Sequence, residues 1–157
     1  MVHKLDSFDR KILAEMQRDC SRSVAEIGEA VGLSQSPCWR RIDRLQKEGY
    51  ISAQVALVDP KRVGLNAHLF VQVKLDAHGR QHLDEFAERM REFDEVLECW
   101  VLIGAIDFML RVVTADLEAY ERFFFDKLSK VPGVREIVAT TALSKIKSTT
   151  ILPIPTR

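Results

Sequence analysis

The sequence predicts an α+β protein in two parts, three short helices followed by a larger part with the element order β-α-β-β-α-β. Two observations predict this fold class. Near the N-terminus, apolar side chains recur at the three- and four-residue spacing of helices, whereas from Asn66 onward alternating strands are separated by helical stretches. The chain has 157 residues, and we predict a helical domain at 1–52, a linker strand and hinge at 53–65, and a second domain at 66–157.

The three N-terminal helices are predicted from capping residues. Asp6 or Ser7 can cap the first helix, and Ser23 with Glu26 has capping-box spacing for the second. Gly32 can end the second helix in a left-handed conformation. The third helix follows, with a buried stripe formed by Cys38, Ile42 and Leu45. This outline is a helix-turn-helix, with residues 50–51 as a possible wing strand.

Positive charge is concentrated on the third helix. Residues 39–47 contain three Arg and one Lys against one Asp, although the whole chain has 23 basic and 23 acidic residues. Such a face is typical either of a helix that contacts DNA or of an ordinary solvated surface, and the helix-turn-helix outline favours DNA. The candidate DNA-binding residues are Ser34, Gln35, Ser36, Trp39, Arg40, Arg41, Arg44 and Lys47.

These candidates have different expected roles. The two serine hydroxyls and the backbone N–H groups at the helix start can meet a phosphate, and Gln35, Trp39 and Arg40 can reach base edges or sugars. Arg41, Arg44 and Lys47 are expected to contact phosphates, although Arg41 could equally pair with an acid inside the protein. For Trp39 the alternative is packing on the wing.

The second part is predicted to have the ferredoxin-like βαββαβ arrangement. The predicted strands are 67–75, 96–103, 108–114 and 134–143; residues 83–90 and 117–128 are predicted to be helical. Two helices cover only one face of a four-stranded sheet, yet the strands are apolar on both faces. We expect the second face to be covered by the same sheet of another copy, giving a dimer with two-fold symmetry.

Several classes of function are disfavoured by the composition. No apolar stretch is long enough for a membrane span and no signal peptide is visible, so we expect a cytoplasmic protein. Cys20, Cys38 and Cys99 have no zinc-site spacing, and His78 and His82 are expected to be surface residues. We expect no metal and no cofactor. No catalytic grouping is visible, so an enzyme is the least favoured class.

In order and spacing, the motifs resemble those of the leucine-responsive regulator/asparagine-regulator (Lrp/AsnC) family of transcription factors. The resemblance covers nearly the whole chain and is carried by residues 6–13, 32–34, 41–45, 48–51, 104–107 and 131–134. It implies a winged helix-turn-helix joined to an amino-acid-sensing ferredoxin-like domain. It also implies dimers that assemble as octamers, each a tetramer of dimers, with the effector bound near a Gly-x-x-Asp turn.

Carried over to this chain, the effector turn is formed by Gly104, Ala105, Ile106 and Asp107. Many family members have a polar or aromatic residue before the aspartate, where this chain has Ile106. Backbone N–H groups around Gly104 could hold the carboxylate of an amino acid, and Asp107 could accept from its ammonium group. The alternative is that Gly104 and Asp107 only shape a hairpin turn.

The sequence therefore predicts a sequence-specific, DNA-binding transcriptional regulator, associated with the nucleoid. Its partners are double-stranded DNA, further copies of itself and a small ligand of the amino-acid class. The alternative is a DNA-architectural protein of the nucleoid type, which would bend or wrap DNA with little dependence on a ligand.

Overall fold

The computed structural model describes residues 4–77 and 83–155, and the chain divides into two compact units. One unit, called here the helical unit, comprises residues 1–57 and 146–157, and the sheet unit comprises residues 58–145. The division falls inside the hinge predicted at 53–65. The last residues differ from the prediction, because they group with the helices and not with the sheet.

The helical unit contains α1 (Ser7–Arg18), α2 (Val24–Val31) and α3 (Gln35–Lys47). Both predicted N-terminal caps form capping boxes, Asp6 with Asp9 on α1 and Ser23 with Glu26 on α2. One face of each helix enters a small common core, which consists of Ile12, Leu13, Ile27, Val31, Cys38, Ile42 and Leu45. The predicted helix-turn-helix is therefore confirmed.

The turn between α2 and α3 depends on two glycines. Gly32 ends α2 in the left-handed conformation, with φ +79°. Gly28 lies inside α2, and a Cβ atom there would stand 2.7 Å from the carbonyl oxygen of Leu33. The Leu33 N–H also donates to the Gly28 carbonyl oxygen at 2.8 Å. The absence of a side chain at Gly28 thus lets the turn fold back tightly on α2.

The predicted wing strand at Tyr50 and Ile51 is not formed in this chain. The Ile51 N–H donates to the carbonyl oxygen of Leu45 at 3.1 Å, so this backbone closes the end of α3 and does not enter a sheet. Both side chains pack against the helical core. Residues 52–65, predicted to include a linker strand, contain only a short 3-10 helix at Lys61–Val63.

The sheet unit has the predicted βαββαβ order. Its elements are β1 (Ala67–Leu75), α4 (Leu83–Arg91), β2 (Val96–Val101), β3 (Phe108–Thr114), α5 (Leu117–Asp126) and β4 (Val134–Thr141). The strands lie in the order β2-β3-β1-β4, and every neighbouring pair is antiparallel. This is the ferredoxin-like topology that the sequence predicted.

The two faces of the sheet differ in environment. Along β1, alternate side chains from Ala67 to Leu75 are buried under the two helices. The core between sheet and helices includes Phe108 and Leu110 of β3, Phe86 of α4 and Phe123 of α5. The opposite side chains of β1, including Phe70, point away from this core, and we call that side of the sheet the outer face.

Candidate functional site

The N-terminal end of α3 is open to solvent. Ser34 is the N-cap residue with extended backbone, and its side chain makes no capping hydrogen bond. Ser34, Gln35 and Ser36 are all exposed. Because the first N–H groups of a helix lack intrahelical acceptors and lie at the positive end of its dipole, this end is suited to contact a phosphate.

The next turn of α3 presents Trp39 and Arg40, and both side chains are exposed. The Trp39 side chain is 55% exposed, which favours the alternative in which it faces DNA over packing inside the protein. A guanidinium group on an open helix face can form paired hydrogen bonds with guanine. Trp39 and Arg40 thus remain candidates for contacts with bases or sugars.

Arg41 and Arg44 have a different environment. Both guanidinium groups bind Asp9 of α1, with N–O distances of 2.8 Å from Arg41 and 2.6 Å from Arg44. Arg41 also binds Asp6 at 2.6 Å, and its guanidinium carbon lies 5.5 Å from the ring centre of Phe8. For Arg41 this is the internal pairing that the sequence left open; for Arg44 it is an arrangement that the sequence did not predict.

These contacts also shift acid–base equilibria. The hydrogen bonds that Arg41 donates to Asp6 and then to Asp9 raise its pKa, and the hydrogen bond that Arg44 donates to Asp9 raises the pKa of Arg44. Both groups are therefore held in their charged forms, and each is committed to a carboxylate of α1. The acid that the sequence analysis missed is Asp9, which is 1% exposed.

Lys47 lies at the end of α3 with a side chain that is 74% exposed. Its ammonium group is 2.8 Å from the Asp43 carboxylate, one turn earlier on the same helix. Exposed pairs of this kind contribute little to stability, so Lys47 can exchange Asp43 for a phosphate at small cost.

The proposed effector turn belongs to the loop of residues 102–107, between β2 and β3. Gly104 has φ +151°, a conformation that residues with a side chain rarely adopt, and Ala105 is exposed. The Asp107 backbone N–H donates to the Val73 carbonyl oxygen at 3.0 Å, and its carboxylate accepts from the Leu75 N–H at 2.7 Å. Asp107 therefore fixes the loop to β1, while Ile106 is half-buried beside it.

The outer face of the sheet combines exposed apolar side chains with ion pairs. Phe70 is 46% exposed, Trp100 60% and Val138 47%. Arg111 binds Glu98 at 2.6 Å, and Lys74 binds Glu136 at 3.1 Å, each pair joining neighbouring strands. Large apolar side chains are seldom left exposed together without a partner.

Two other features are absent from the part of the chain that the structure describes, residues 4–77 and 83–155. These residues contain no group of three or more His, Cys, Asp or Glu side chains that could hold a metal ion. None of the helices described is long and apolar enough to cross a membrane. His78 and His82 lie outside the described residues.

Two family models match the chain. The AsnC-type helix-turn-helix domain matches residues 5–46, and the Lrp/AsnC ligand binding domain matches residues 68–152. These regions correspond to the three helices and to the ferredoxin-like sheet with the chain that follows it. The first match therefore includes α3, and the second includes the 102–107 loop.

Curated relatives align over nearly the full chain. The DNA-binding transcriptional activator DecR of Escherichia coli K12 is 39% identical over 150 residues, covering 96% of this chain and 99% of that protein. The glutamate uptake regulatory protein of Zymomonas mobilis is 37% identical over 155 residues, covering 99% of this chain and 94% of the relative.

Solved structures share the fold. A transcriptional regulator of the AsnC family from Agrobacterium tumefaciens has a TM-score of 0.90 and 39% identity, covering 95% of this chain and 97% of that one. A Neisseria meningitidis transcriptional regulator, solved as its L-Met complex, also has a TM-score of 0.90, with 34% identity and coverage of 96% and 97%.

Proposed function

Because the chain belongs to the Lrp/AsnC family of DNA-binding transcriptional regulators, we propose that a dimer of it reads DNA with the exposed side of α3 and changes its binding when an amino acid occupies the 102–107 loop. The protein is a transcriptional regulator with a ligand-binding domain, and it is not an enzyme. The face of α3, the dimer and the ligand site are the parts that we propose.

The observation that carries the DNA-reading face is the division of α3 into two sides. Cys38, Ile42 and Leu45 enter the core, while Trp39 and Arg40 on the other side remain exposed. Base-reading helices insert the exposed side of their N-terminal half into the major groove. Because the proposed partner is double-stranded DNA, we place the protein in the cytoplasm, associated with the nucleoid.

A dimer through the outer face of the sheet is supported by its exposed apolar side chains, Phe70, Trp100 and Val138. Two-fold symmetry would place identical outer faces against each other and bury these side chains. The resulting dimer would contain two copies of α3. The resemblance to the family extends this proposal to octamers, assembled as tetramers of dimers. The cross-strand ion pairs would lie at this interface and restrict its register.

An amino acid as the effector is supported by the relatives. One curated relative is named for glutamate uptake, and one structural neighbour was solved with L-Met. In this chain the backbone at Gly104 has no Cβ, so a ligand carboxylate can approach its N–H groups closely. Asp107 shapes the loop and supplies negative charge near the ligand ammonium, and Ala105 and Ile106 border the turn.

The DNA-reading face is tested by substitution of two basic residues. A preferred DNA site is first selected from a random pool, and binding is then measured by fluorescence anisotropy for specific and shuffled duplexes. Arg40→Ala is expected to weaken binding to the preferred site by about 1–3 kcal/mol, through the loss of readout at one base position. Lys47→Ala is expected to weaken binding to the specific and the shuffled duplex equally. If both variants bind like the native protein, the proposed face is wrong.

The ligand proposal is tested by thermal-shift measurements with each of the twenty amino acids. A ligand that binds the folded protein raises its melting temperature, and footprinting with that ligand should show altered, discrete protection. Gly104→Val, which places a branched side chain in the loop, is expected to abolish the shift. Uniform protection of any DNA, indifferent to all twenty amino acids, would instead support the architectural alternative.

The dimer is tested by sedimentation of Val138→Glu. A carboxylate on each outer face would be buried and unpaired at the interface, so the variant is expected to sediment as a monomer. Glu118→Gln, on the exposed surface of α5, is the matched control and should keep the native assembly. A Val138→Glu protein that assembles like the native chain would show that the outer face is not the interface.

A further inference from the structure

One acidic side chain of the helical unit, Asp9, both completes the capping box of α1 and contacts the middle of α3. Asp9 lies in the first turn of α1 and is almost completely buried. Its carboxylate faces Arg41 and Arg44 of α3, which are three positions apart and therefore lie on the same side of that helix. A single carboxylate thus spans one turn of the DNA-reading helix.

Both oxygens of the Asp9 carboxylate accept hydrogen bonds. One carboxylate oxygen of Asp9 accepts from Arg41 at 2.8 Å, and the other accepts from Arg44 at 2.6 Å and from the Asp6 N–H at 3.0 Å. Asp6 in turn accepts from Arg41 at 2.6 Å and from the Asp9 N–H at 2.9 Å. The capping box of α1 and the ion pairs to α3 are therefore one network.

Such a network constrains the orientation of α3 more tightly than the apolar core does alone. The apolar stripe of α3 resists removal from the core, but apolar contacts are non-directional and tolerate small rotations of the helix. Charge-assisted hydrogen bonds from two guanidinium groups to one fixed carboxylate require a particular rotation and a particular position along the axis. That rotation decides where Trp39 and Arg40 point.

We propose that Asp9 is a positioning residue for DNA reading, and that Arg41 and Arg44 fix the orientation of α3 and do not contact phosphate. The basic residues of α3 then have two roles. Arg41 and Arg44 are paired with the carboxylates of α1, whereas Arg40 and Lys47 supply the charge that meets DNA. The expected cost of disturbing the network is a loss of discrimination between DNA sequences.

The distinguishing measurement is the salt dependence of DNA binding. Each phosphate contact that is lost lowers the slope of log K against log salt by about one. Arg44→Lys retains the charge but replaces the guanidinium group, which meets Asp9 at 2.6 Å, with an ammonium group on a flexible stem that does not fix the direction of the contact. We expect it to leave the slope unchanged and to reduce the ratio of specific to shuffled-site affinity by about tenfold. If Arg44 instead contacts a phosphate, lysine would keep that contact, and both the salt slope and the affinity ratio would stay near their native values.

Asp9→Asn provides the second variant, and Lys47→Gln the matched control. At a temperature where circular dichroism shows the helices intact, Asp9→Asn is expected to lose discrimination with an unchanged slope. Lys47→Gln is expected to lose about one unit of slope and to keep discrimination. A purely structural role of Asp9 would lower the active fraction for both DNA sequences equally and leave their affinity ratio native, which would overturn the proposal.

If Asp9→Asn does not remain folded, Arg44→Lys alone decides the outcome, because native discrimination in that variant refutes a positioning role. The inference rests on the proposed DNA-reading face of α3. The two can fail separately. A wrong face leaves the Arg40→Ala and Lys47→Gln proteins native in binding, whereas a wrong assignment of Asp9 appears only in the Asp9 and Arg44 variants.

Discussion

At the scale of single residues, Gly28 is a position where one methyl group has no room. An added Cβ would approach the Leu33 carbonyl oxygen to 2.7 Å, and that oxygen is backbone at the turn between α2 and α3. The turn would have to open to accept it. Because α3 is held by that turn, the helical unit should be more sensitive to Gly28 than to exposed positions of α2.

We therefore predict that Gly28→Ala lowers the free energy of unfolding by about 1–3 kcal/mol, the usual cost of overpacking. Alanine normally favours a helix over glycine, so a loss of stability would identify the close contact as the dominant effect. Chemical denaturation followed by circular dichroism measures the change. Ala30→Ser, exposed on the same helix, is the control and should change stability by less than about 0.5 kcal/mol. An unchanged or higher midpoint for Gly28→Ala would contradict this account.

Residue-level roles were predicted from the sequence only where local spacing decides them. The stripe of Cys38, Ile42 and Leu45 follows from helical periodicity, and all three are buried. The pairing of Arg44 with Asp9 joins residues 35 positions apart and requires the packing of α1 against α3. The available signal was the shared three-residue spacing of Asp6 and Asp9 at the start of α1 and of Arg41 and Arg44 in α3.

At the scale of elements, the starts of α1 and α2 depend on ionised carboxylates. The pKa of Asp6 is lowered from its ordinary value of 3.8: burial alone would raise it, but the Asp9 N–H and the Arg41 guanidinium outweigh that effect. The pKa of Glu26 is lowered from 4.5 by hydrogen bonds from the side chain and backbone of Ser23. Both helices thus begin with an acid that is stabilised in its charged form.

This arrangement predicts an acid-sensitive helical unit. A carboxyl group with a lower pKa in the folded state stabilises the fold fully above its unfolded pKa, and this contribution is lost as the pH falls through the folded value. The stability of α1 and α2 should therefore decline below about pH 4. Urea titrations across pH 2.5–7 test this, with Ser23→Ala expected to reduce the pH dependence at α2 and Ser36→Ala to leave it native. A pH dependence of Ser23→Ala equal to that of the native chain would contradict the assigned cause.

Element boundaries were predicted well where the signals are local and poorly where they need a partner. The helix starts follow from the caps at Asp6 and Ser23, and β1 follows from strict alternation. The wing prediction was wrong because a strand needs a neighbouring strand, whereas the Ile51 N–H bonds to the Leu45 carbonyl oxygen and closes the end of α3. The side chains of Tyr50 and Ile51 complete the helical core, which gives the same sequence pattern as an edge strand.

At the scale of the whole molecule, charge neutrality limits what DNA binding can depend on. Equal numbers of acidic and basic residues give no net charge, so non-specific attraction to phosphates is expected to be weak. The arginine pairs with Asp9 reduce the available positive charge of α3 further. Recognition of DNA by the proposed face must then come from a few well-placed contacts, and these depend on the orientation of α3.

The helical unit is also built from both ends of the chain, a feature that no local sequence pattern indicated. The amide group of Gln17 on α1 both accepts from the Leu152 N–H at 2.6 Å and donates to the Leu152 carbonyl oxygen at 3.3 Å. Ile154 packs on the helical core, and Arg10 donates to the carbonyl oxygen of Pro155. The C-terminal segment thus supports the outer side of α1, the helix that carries Asp9.

Removal of the C-terminal segment should therefore loosen α1 without affecting the sheet. We predict that a chain ending at Lys145 shows faster amide hydrogen exchange in α1, while exchange in β1 stays native, because local stability follows local contacts. Gln17→Ala should reproduce part of the effect, and Lys147→Ala, an exposed change within the same segment, should not. Exchange measured by mass spectrometry resolves both elements in one experiment. Native protection of α1 in the shortened chain would mean that the contacts of Leu152 and Ile154 do not stabilise this helix. Loss of protection would show that the C-terminal segment is a structural part of the helical unit.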